Sequence, residues 1–317
     1  MTGLRNAVEP LVIALTFTIG ALINRRDIGQ GKDVEASRSQ LNLQSRLLAQ
    51  FPFLLEIWYW QLTYWVRHIT SARSFPNSSG WQVYQGLRAF SARLIADNTA
   101  IFSLAVRHAQ QLLALESFLG IDIELSLQRY ILTHIPSLMP LLSRVYFSHI
   151  SLGVAFLVYC YTVLPHHTFC AIRRTIALEN ASALVIITLW RCCPPRLMPK
   201  EEYGYRDIVH ESSGNTAWTE NKFRLVIAAM PSLHFANSVF VGWCLARFSP
   251  HRVLRILGPL WPVIMWVTIV ATANHWVLDT VVGLGVVMAA WRWNRGMLVL
   301  RGVEDVVFGV LGLVRPE

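Results

Sequence analysis

Residues 256–279 read ILGPLWPVIMWVTIVATANHWVLD, and this stretch decides the class of fold. No Asp, Glu, Lys or Arg occurs in it before Asp279. A helix needs about 20 mostly apolar residues to cross the ~30 Å hydrocarbon core of a bilayer, and this run is long enough. The sequence therefore predicts a membrane-spanning helix here. It also places His275 and Asp279 where the following span begins.

Several other apolar runs predict further spans, which makes six or seven in all. Two of them, 145–172 and 225–246, also lack charged residues. The remaining runs are 175–190 (with Glu179), 276–291 (with Asp279), 9–23 and 51–66 (with Glu56). The predicted fold class is an all-α, polytopic membrane helix bundle with amphipathic interfacial helices in the N-terminal half.

Single polar residues inside these runs need an explanation, because polar groups are costly in a membrane. We expect Glu179 to pair with Arg173 or Arg174 on the same helix. Tyr146 and His149 lie three residues apart early in the 145–172 run. They are predicted to anchor this span at the interface, the alternative being that they line a substrate cavity.

The composition agrees with a membrane location and excludes several classes of protein. Apolar residues make up 54% of the 317 residues and charged residues only 15%, with 12 Trp and a mean hydropathy of +0.41. So few charges cannot cover the surface of a water-soluble enzyme, nor are they typical of a coiled coil or a disordered chain. The five cysteines show neither the spacing of metal ligands nor the pattern of a disulfide framework. No metal and no other cofactor is expected.

The net charge of +9 indicates the chemistry of the partner. All but three of the 28 basic residues are Arg, which suits anionic headgroups and phosphate. They lie between apolar runs and form no basic stripe or nucleic-acid-binding module, so nucleic acid is not an expected partner. We expect the substrate to be a membrane lipid phosphate or an isoprenoid phosphate; the sequence leaves the oligomeric state open.

The chain divides into three regions by composition. Residues 1–135 are predicted to form N-terminal membrane and interfacial helices, residues 136–296 a membrane core, and residues 297–317 a short tail. Leu and Ile recur at helical spacing among charged residues in 100–119 and 121–132, as in helices that lie on a membrane surface. In these two segments Glu116, Asp122 and Glu124 are predicted to form a solvated face.

The distribution of Arg predicts the orientation in the membrane. One short turn and the tail after the last span are both rich in Arg, so the positive-inside rule places them in the cytosol. These residues are Arg247, Arg252, Arg255, Arg292, Arg295 and Arg301. The loop 191–224 then faces a lumen or the cell exterior. Asn77 begins the sequon Asn-Ser-Ser and is a predicted glycosylation site.

Three short polar segments interrupt the apolar C-terminal half, and the order of spans brings all three to one membrane face. They are 191–199 (RCCPPRLMP), 229–234 (AMPSLH) and 274–279 (NHWVLD). Each has an ordinary structural interpretation: an interfacial Arg, a helix cap with a buried His, and a His–Asp pair satisfied within a bundle. Their convergence instead indicates a single anion site.

The histidines supply the reactive groups of this predicted site. His275 and Asp279 lie four residues apart and share a helix face, so the carboxylate can fix the tautomer and leave the other ring nitrogen as a nucleophile. His234 lies one turn into its helix, where an imidazolium could protonate a leaving oxygen.

The remaining polar groups suit the phosphate. Pro231 favours a helix start whose amides, with the hydroxyl of Ser232, form an anion site. The Pro-Pro pair fixes Arg196, a forked donor that suits phosphate, and Arg191 could assist it. Together these groups predict phosphoryl transfer through His275 without a metal ion, because a guanidinium and backbone dipoles hold the charge.

The segment PSLH (231–234), followed by HxxxD beginning at His275, resembles the second and third motifs of the type-2 phosphatidic acid phosphatase superfamily. The segments PPRL (194–197), ATANHWVLD (271–279) and LGIDIELSLQRYIL (119–132) are similar to the branch that contains inositol-phosphorylceramide synthase, an inositolphosphotransferase. The resemblance covers about 145–295.

That resemblance implies a core of six membrane helices and a phosphohistidine on His275. It also implies acid–base work by His234, support by Asp279, and phosphate contacts from Ser232 and Arg196. The sequence-based conclusion is a metal-independent, integral membrane lipid phosphatase or phosphotransferase.

The chain departs from the broader superfamily at two places. Leu189 stands where a Lys precedes the first-motif Arg, and Thr268-Ile269 stand where a Ser-Arg pair precedes the last His. Two alternatives therefore stay open. One is an isoprenoid-diphosphate-processing enzyme, terpene cyclase-like or a diphosphatase. The other is a non-catalytic membrane lipid-binding protein.

Overall fold

The structure is a computed structural model, and it describes residues 2–26, 43–64, 99–209 and 227–313. Within these ranges the regular elements are all helical. The N-terminal helices are α1 (Thr2–Ile23), α2 (Leu43–Gln50), α3 (Phe53–Tyr64), α4 (Thr99–Leu119) and α5 (Glu124–His134). The C-terminal helices are α6 (Leu138–Val163), α7 (His166–Leu189), α8 (Lys200–Tyr203), α9 (Leu233–Phe248), α10 (Arg252–Leu257), α11 (Leu260–Ala271), α12 (Val277–Trp293) and α13 (Arg301–Val310). Short 3₁₀ turns occur at Pro195–Leu197 and Asn294–Leu300.

Among the residues that the structure describes, two helical segments are long and apolar enough to cross a membrane. They are α6 (Leu138–Val163) and the α10–α11 segment Arg252–Ala271; a shorter apolar helix covers Pro10–Ile23. Because the regular elements of the described residues are all helical, the predicted all-α class is confirmed. The total of six or seven spans stays a prediction.

The charge pattern predicts one helix over the apolar run 145–172. In the structure this run instead covers parts of two helices. Helix α6 begins at Leu138, before Arg144, and ends at Val163. Leu164 is extended and Pro165 follows it, directly before α7. Proline lacks an N–H and disfavours a helical conformation in the residue before it, so the helix must end here. Charged residues show where an apolar stretch begins and ends, but the helix ends lie at other residues.

The predicted pairing of Glu179 is wrong. Arg173 forms an ion pair with Glu56 at 2.6 Å, and Arg174 donates to Asn294 at 3.4 Å. Residues five and six positions apart do not share a helix face, so neither Arg can reach Glu179 along α7. Glu179 is fully buried, and no described residue hydrogen-bonds to its carboxyl oxygens.

Helix α9 lies at the centre of the bundle and packs against α6, α7, α11 and α12. Its close approach to α12 depends on Gly283, because a Cβ there would lie 2.6 Å from the carbonyl oxygen of Ser232. The same approach places the start of α9 beside the start of α12. The His234 and His275 segments are thereby brought together.

Candidate active site

Backbone hydrogen bonds join the three polar segments directly. The amide of Ala229 donates to Cys192 at 3.1 Å, and that of Arg196 donates to Ala273 at 2.9 Å. The amide of Ser232 donates to the carbonyl of Asp279 at 3.0 Å. Segments 191–199, 229–234 and 274–279 therefore form one connected unit at one end of the bundle.

His234 and His275 face each other within this unit. Nδ1 of His234 lies 3.2 Å from Nε2 of His275. Nδ1 of His275 lies 2.7 Å from the carbonyl oxygen of Ala229. A carbonyl oxygen can only accept, so Nδ1 of His275 carries the proton and Nε2 presents its lone pair. That is the orientation a nucleophilic imidazole needs.

Asp279 lies beside His275 but makes its shorter bond to the backbone. Its Oδ2 accepts from the amide of Trp276 at 2.9 Å and lies 3.5 Å from Nδ1 of His275. The sequence predicts that this carboxylate fixes the tautomer of His275, whereas in the structure the carbonyl of Ala229 makes the closer contact. The carboxylate is near enough to stabilise positive charge on the ring.

Ser232 is the N-cap of α9. Its hydroxyl oxygen accepts from the amide of Phe235 at 3.4 Å, and its own amide is bound to Asp279. The side chain is buried, and no described residue accepts the hydroxyl proton. One hydrogen-bond donor of Ser232 is therefore available to a ligand.

Arg196 is held beside the segment that contains His275. Its Nε donates to Asn274 Oδ1 at 3.0 Å, and Asn274 directly precedes His275. Its Nη1 forms an ion pair with Asp207 at 2.6 Å. The side chain is only 7% exposed. Sequence reasoning missed Asp207, because a single acid in a polar loop has no distinctive spacing.

The family model of the PAP2 superfamily matches residues 110–293, which is more than half of the chain and contains all three segments. The chain belongs to the PAP2 superfamily. This membership indicates a phosphatase-type enzyme that acts on phosphorylated lipids and associates with membranes. No curated protein and no solved structure shows a significant match to the chain.

Arg191, the predicted second cation of this PAP2 site, lies at the end of α7. Its carbonyl accepts from Nδ1 of His108 at 2.7 Å, and the His108 ring stacks on Trp190 with centroids 3.9 Å apart. Burial lowers the pKa of Arg191. The positions where the broader superfamily has cations are uncharged: Leu189 is exposed and Ile269 is buried.

Tyr146 and His149 contact His234 of the PAP2 histidine pair, which favours the alternative that they line the site. The Tyr146 ring stacks on His234 with centroids 4.4 Å apart. The His149 ring meets His234 edge-on at 4.3 Å. Because both come from α6, this helix forms one wall of the site.

The prediction of a solvated face is wrong for Glu116 and Glu124. Both are fully buried, whereas Asp122 between them is exposed and accepts from Ser117 at 2.8 Å. Glu116 accepts from the amide of Leu278 at 2.7 Å, and Glu124 from that of Val277 at 2.8 Å. The amphipathic pattern could not reveal that α4 and α5 pack on another helix end. The predicted glycosylation site Asn77 lies outside the described residues.

Proposed function

We propose that this PAP2 protein is an integral membrane lipid phosphatase or phosphotransferase that forms a phosphohistidine on His275. The observation that carries the proposal is the orientation of His275. Its Nδ1–H is bound to the Ala229 carbonyl at 2.7 Å, and its Nε2 faces His234 at 3.2 Å. The nucleophile and a proton donor thus lie next to each other, at hydrogen-bonding distance, where both can act on one phosphoester.

In the first step, the lone pair on Nε2 of His275 attacks phosphorus. The bond between phosphorus and the leaving oxygen breaks, and the imidazolium of His234 gives its proton to that oxygen. The phosphorylated ring of His275 keeps its Nδ1 proton and carries positive charge. The carboxylate of Asp279, 3.5 Å from Nδ1, stabilises that charge.

In the second step, the now neutral His234 removes a proton from the acceptor hydroxyl. The acceptor oxygen attacks phosphorus as the bond to Nε2 of His275 breaks, which restores both rings. With water as the acceptor the reaction is hydrolysis, and with an alcohol it is transfer. The rings of Tyr146 and His149 hold His234 in the orientation that both steps need.

Arg196 is the principal phosphate ligand in this proposal. A guanidinium can make forked hydrogen bonds to phosphate oxygens, and Arg196 is already fixed next to His275 through Asn274. The hydroxyl proton of Ser232 and the guanidinium of Arg191 complete the set. These groups hold negative charge without requiring a metal ion.

The membrane supplies the substrate. The site lies at the α7 C-terminus and the α9 and α12 N-termini, whereas Arg247, at the other end of α9, belongs to the Arg-rich turn. The positive-inside rule then gives a multi-pass topology with the active site on the lumenal or extracellular face. There a lipid headgroup can reach the histidines while its acyl chains stay in the bilayer.

A substrate screen tests this proposal. Protein in detergent micelles would be incubated with phosphatidate, lysophosphatidate, isoprenoid diphosphates, or ceramide with phosphatidylinositol. Release of phosphate or a phosphorylated acceptor is expected from the wild type and not from His275→Ala. The matched control is His167→Ala, an exposed His at the opposite end of α7. Full turnover by His275→Ala, or release of pyrophosphate with a rearranged hydrocarbon, would contradict the mechanism.

A further inference from the structure

The start of α12 is capped by three carboxyl groups rather than by its own N-cap residue. Position 276 is Trp, whose side chain has no hydrogen-bond acceptor for the exposed amides of a first helical turn. The amide of Trp276 is bound by Asp279, that of Val277 by Glu124 and that of Leu278 by Glu116. Two of these acceptors come from other helices, α4 and α5.

We propose that Glu116 and Glu124 share one proton and act as a pair of positioning residues, which hold the first turn of α12 and thereby the reactive ring of His275. This inference rests on the proposed function, because it assigns the pair a role in the phosphoryl transfer argued for above. It gives a role in that function to helices α4 and α5, which carry none of the reacting groups.

The contacts of the two carboxyls support a shared proton. Each carboxyl uses one oxygen to accept an amide of α12, and the other oxygen receives no N–H or O–H donor from the described residues. The two carboxyl groups are also neighbours of each other. A proton between the two remaining oxygens satisfies both, and it leaves one negative charge at the positive end of the α12 dipole.

The electrostatic surroundings favour the same state. Burial and the neighbouring Glu124 raise the pKa of Glu116 to about 9, and burial also raises the pKa of Glu124. Neither Glu forms an ion pair with a Lys or Arg of the described residues. The other titratable groups that face the pair are Asp279, Tyr205 and Cys192. Two ionised carboxylates beside Asp279 would repel one another, so one proton is retained at neutral pH.

The position of the first turn of α12 determines the geometry of the site. His275 immediately precedes Trp276, and Asn274 binds Arg196 at 3.0 Å. Ala273, one residue earlier, has a φ of 53°, in the left-handed region, and lies in the turn that follows α11. A shift of the capped turn would therefore move the nucleophile and the phosphate ligand together. A misplacement of about 1 Å can lower a rate about 100-fold.

Substitutions of Glu116 and Glu124 can distinguish the hydrogen bonds that these side chains make to α12 from the charge and the proton of their carboxyl groups. In Glu116→Gln the amide oxygen can still accept from Leu278, and the amide N–H can replace the shared proton, so activity should be kept. Glu124→Gln should behave similarly. Glu116→Ala and the double variant Glu116→Ala/Glu124→Ala remove the caps. Asp122→Asn, an exposed acid between the two, is the matched control.

The experiment measures kcat and KM for each variant, with short-chain phosphatidate in detergent micelles or the substrate from the screen that turns over fastest. Hydrogen exchange of a peptide covering 272–282 is followed in parallel. We expect the double Ala variant to lose about 100-fold in kcat with little change in KM and to exchange its α12 amides faster. Both single Gln variants and Asp122→Asn should match the wild type in both readouts.

The outcomes distinguish this inference from the proposed function. If the double Ala variant keeps its kcat, or if the Gln variants lose as much activity as it does, the pair does not position the site, although His275→Ala is still inactive. Protected α12 amides in the double Ala variant would also overturn the inference. If His275→Ala keeps full turnover, the phosphohistidine mechanism fails, and the positioning role fails with it.

Discussion

The guanidinium of Arg196 forms a partly buried ion pair with the carboxylate of Asp207 at 2.6 Å, next to the two histidines of the candidate site. Asp207 thereby occupies a donor that a phosphate would use. It also places negative charge beside Arg196, the proposed phosphate ligand. The carboxylate helps to hold Arg196 in place, and in the proposed mechanism it competes with the phosphate for the guanidinium.

Asp207→Asn should therefore bind an oxyanion more tightly. The Asn side chain can still accept from Arg196 but has no charge to repel the ligand. A charge-assisted hydrogen bond is worth about 1.5–3 kcal/mol, so the inhibition constant for vanadate should fall roughly tenfold or more. Inhibition of lipid turnover by vanadate measures this change. Glu201→Gln, which changes an exposed acid of the preceding helix α8, is the control, and weaker inhibition in Asp207→Asn would contradict the prediction.

The loss of activity in His234→Ala should depend on the leaving group of the substrate. General acid catalysis contributes about 10²–10⁴-fold for a poor leaving group such as the alkoxide of a lipid. It matters much less for nitrophenolate, which leaves without a proton. With p-nitrophenyl phosphate we expect a burst of about one nitrophenolate per site, as in single phosphorylation of His275, followed by slow turnover. Equal losses on both substrates, without a burst, would show that His234 is not the proton donor.

Tyr146→Ala should lower kcat by removing the ring that stacks on His234. Tyr146→Phe keeps that ring and should keep most of the activity, because the contact is between ring faces 4.4 Å apart. We expect a loss of about tenfold for the Ala variant, in line with an aromatic contact worth about 0.5–1.5 kcal/mol. Steady-state kinetics of the two variants gives the comparison. If Tyr146→Phe is as impaired as Tyr146→Ala, the hydroxyl and not the ring is what the site requires.

The pH dependence of stability tests the state of Glu116 without any activity assay. Its pKa is raised from 4.5 to about 9, so between these values the folded protein holds a proton that the unfolded chain has released. Stability from this group therefore falls as the pH rises through that window. Glu116→Gln cannot titrate, so its Tm should decline less than that of the wild type between pH 5 and pH 9. Parallel Tm curves would mean that Glu116 ionises normally.

Much of the fold class and of the site could be predicted from local pattern alone. The apolar runs show that the core consists of apolar helices, although they do not give the helix ends, and the order of the runs is enough to bring 191–199, 229–234 and 274–279 to one end. The His234 and His275 segments could be found because each contains its chemistry within a few residues of sequence.

The groups that the sequence did not reveal all depend on tertiary contacts. The carbonyl of Ala229 carries no side-chain signal, and Asp207 reaches Arg196 only through the path of the loop. Glu116 and Glu124 occupy polar positions of an amphipathic pattern, which predicts solvent when no partner is known. Their partner is the start of α12, more than 150 residues later in the chain.

The most direct test of the central claim is to trap the phosphorylated enzyme. Wild-type protein would be mixed with ³²P-labelled phosphatidate, or the labelled donor found in the screen, quenched within milliseconds in alkaline detergent, and mapped by mass spectrometry. We expect an acid-labile, alkali-stable phosphate on His275 in the wild type and in His167→Ala, and none in His275→Ala. Turnover of the lipid with no label on His275, or a label that persists in His275→Ala, would contradict the mechanism.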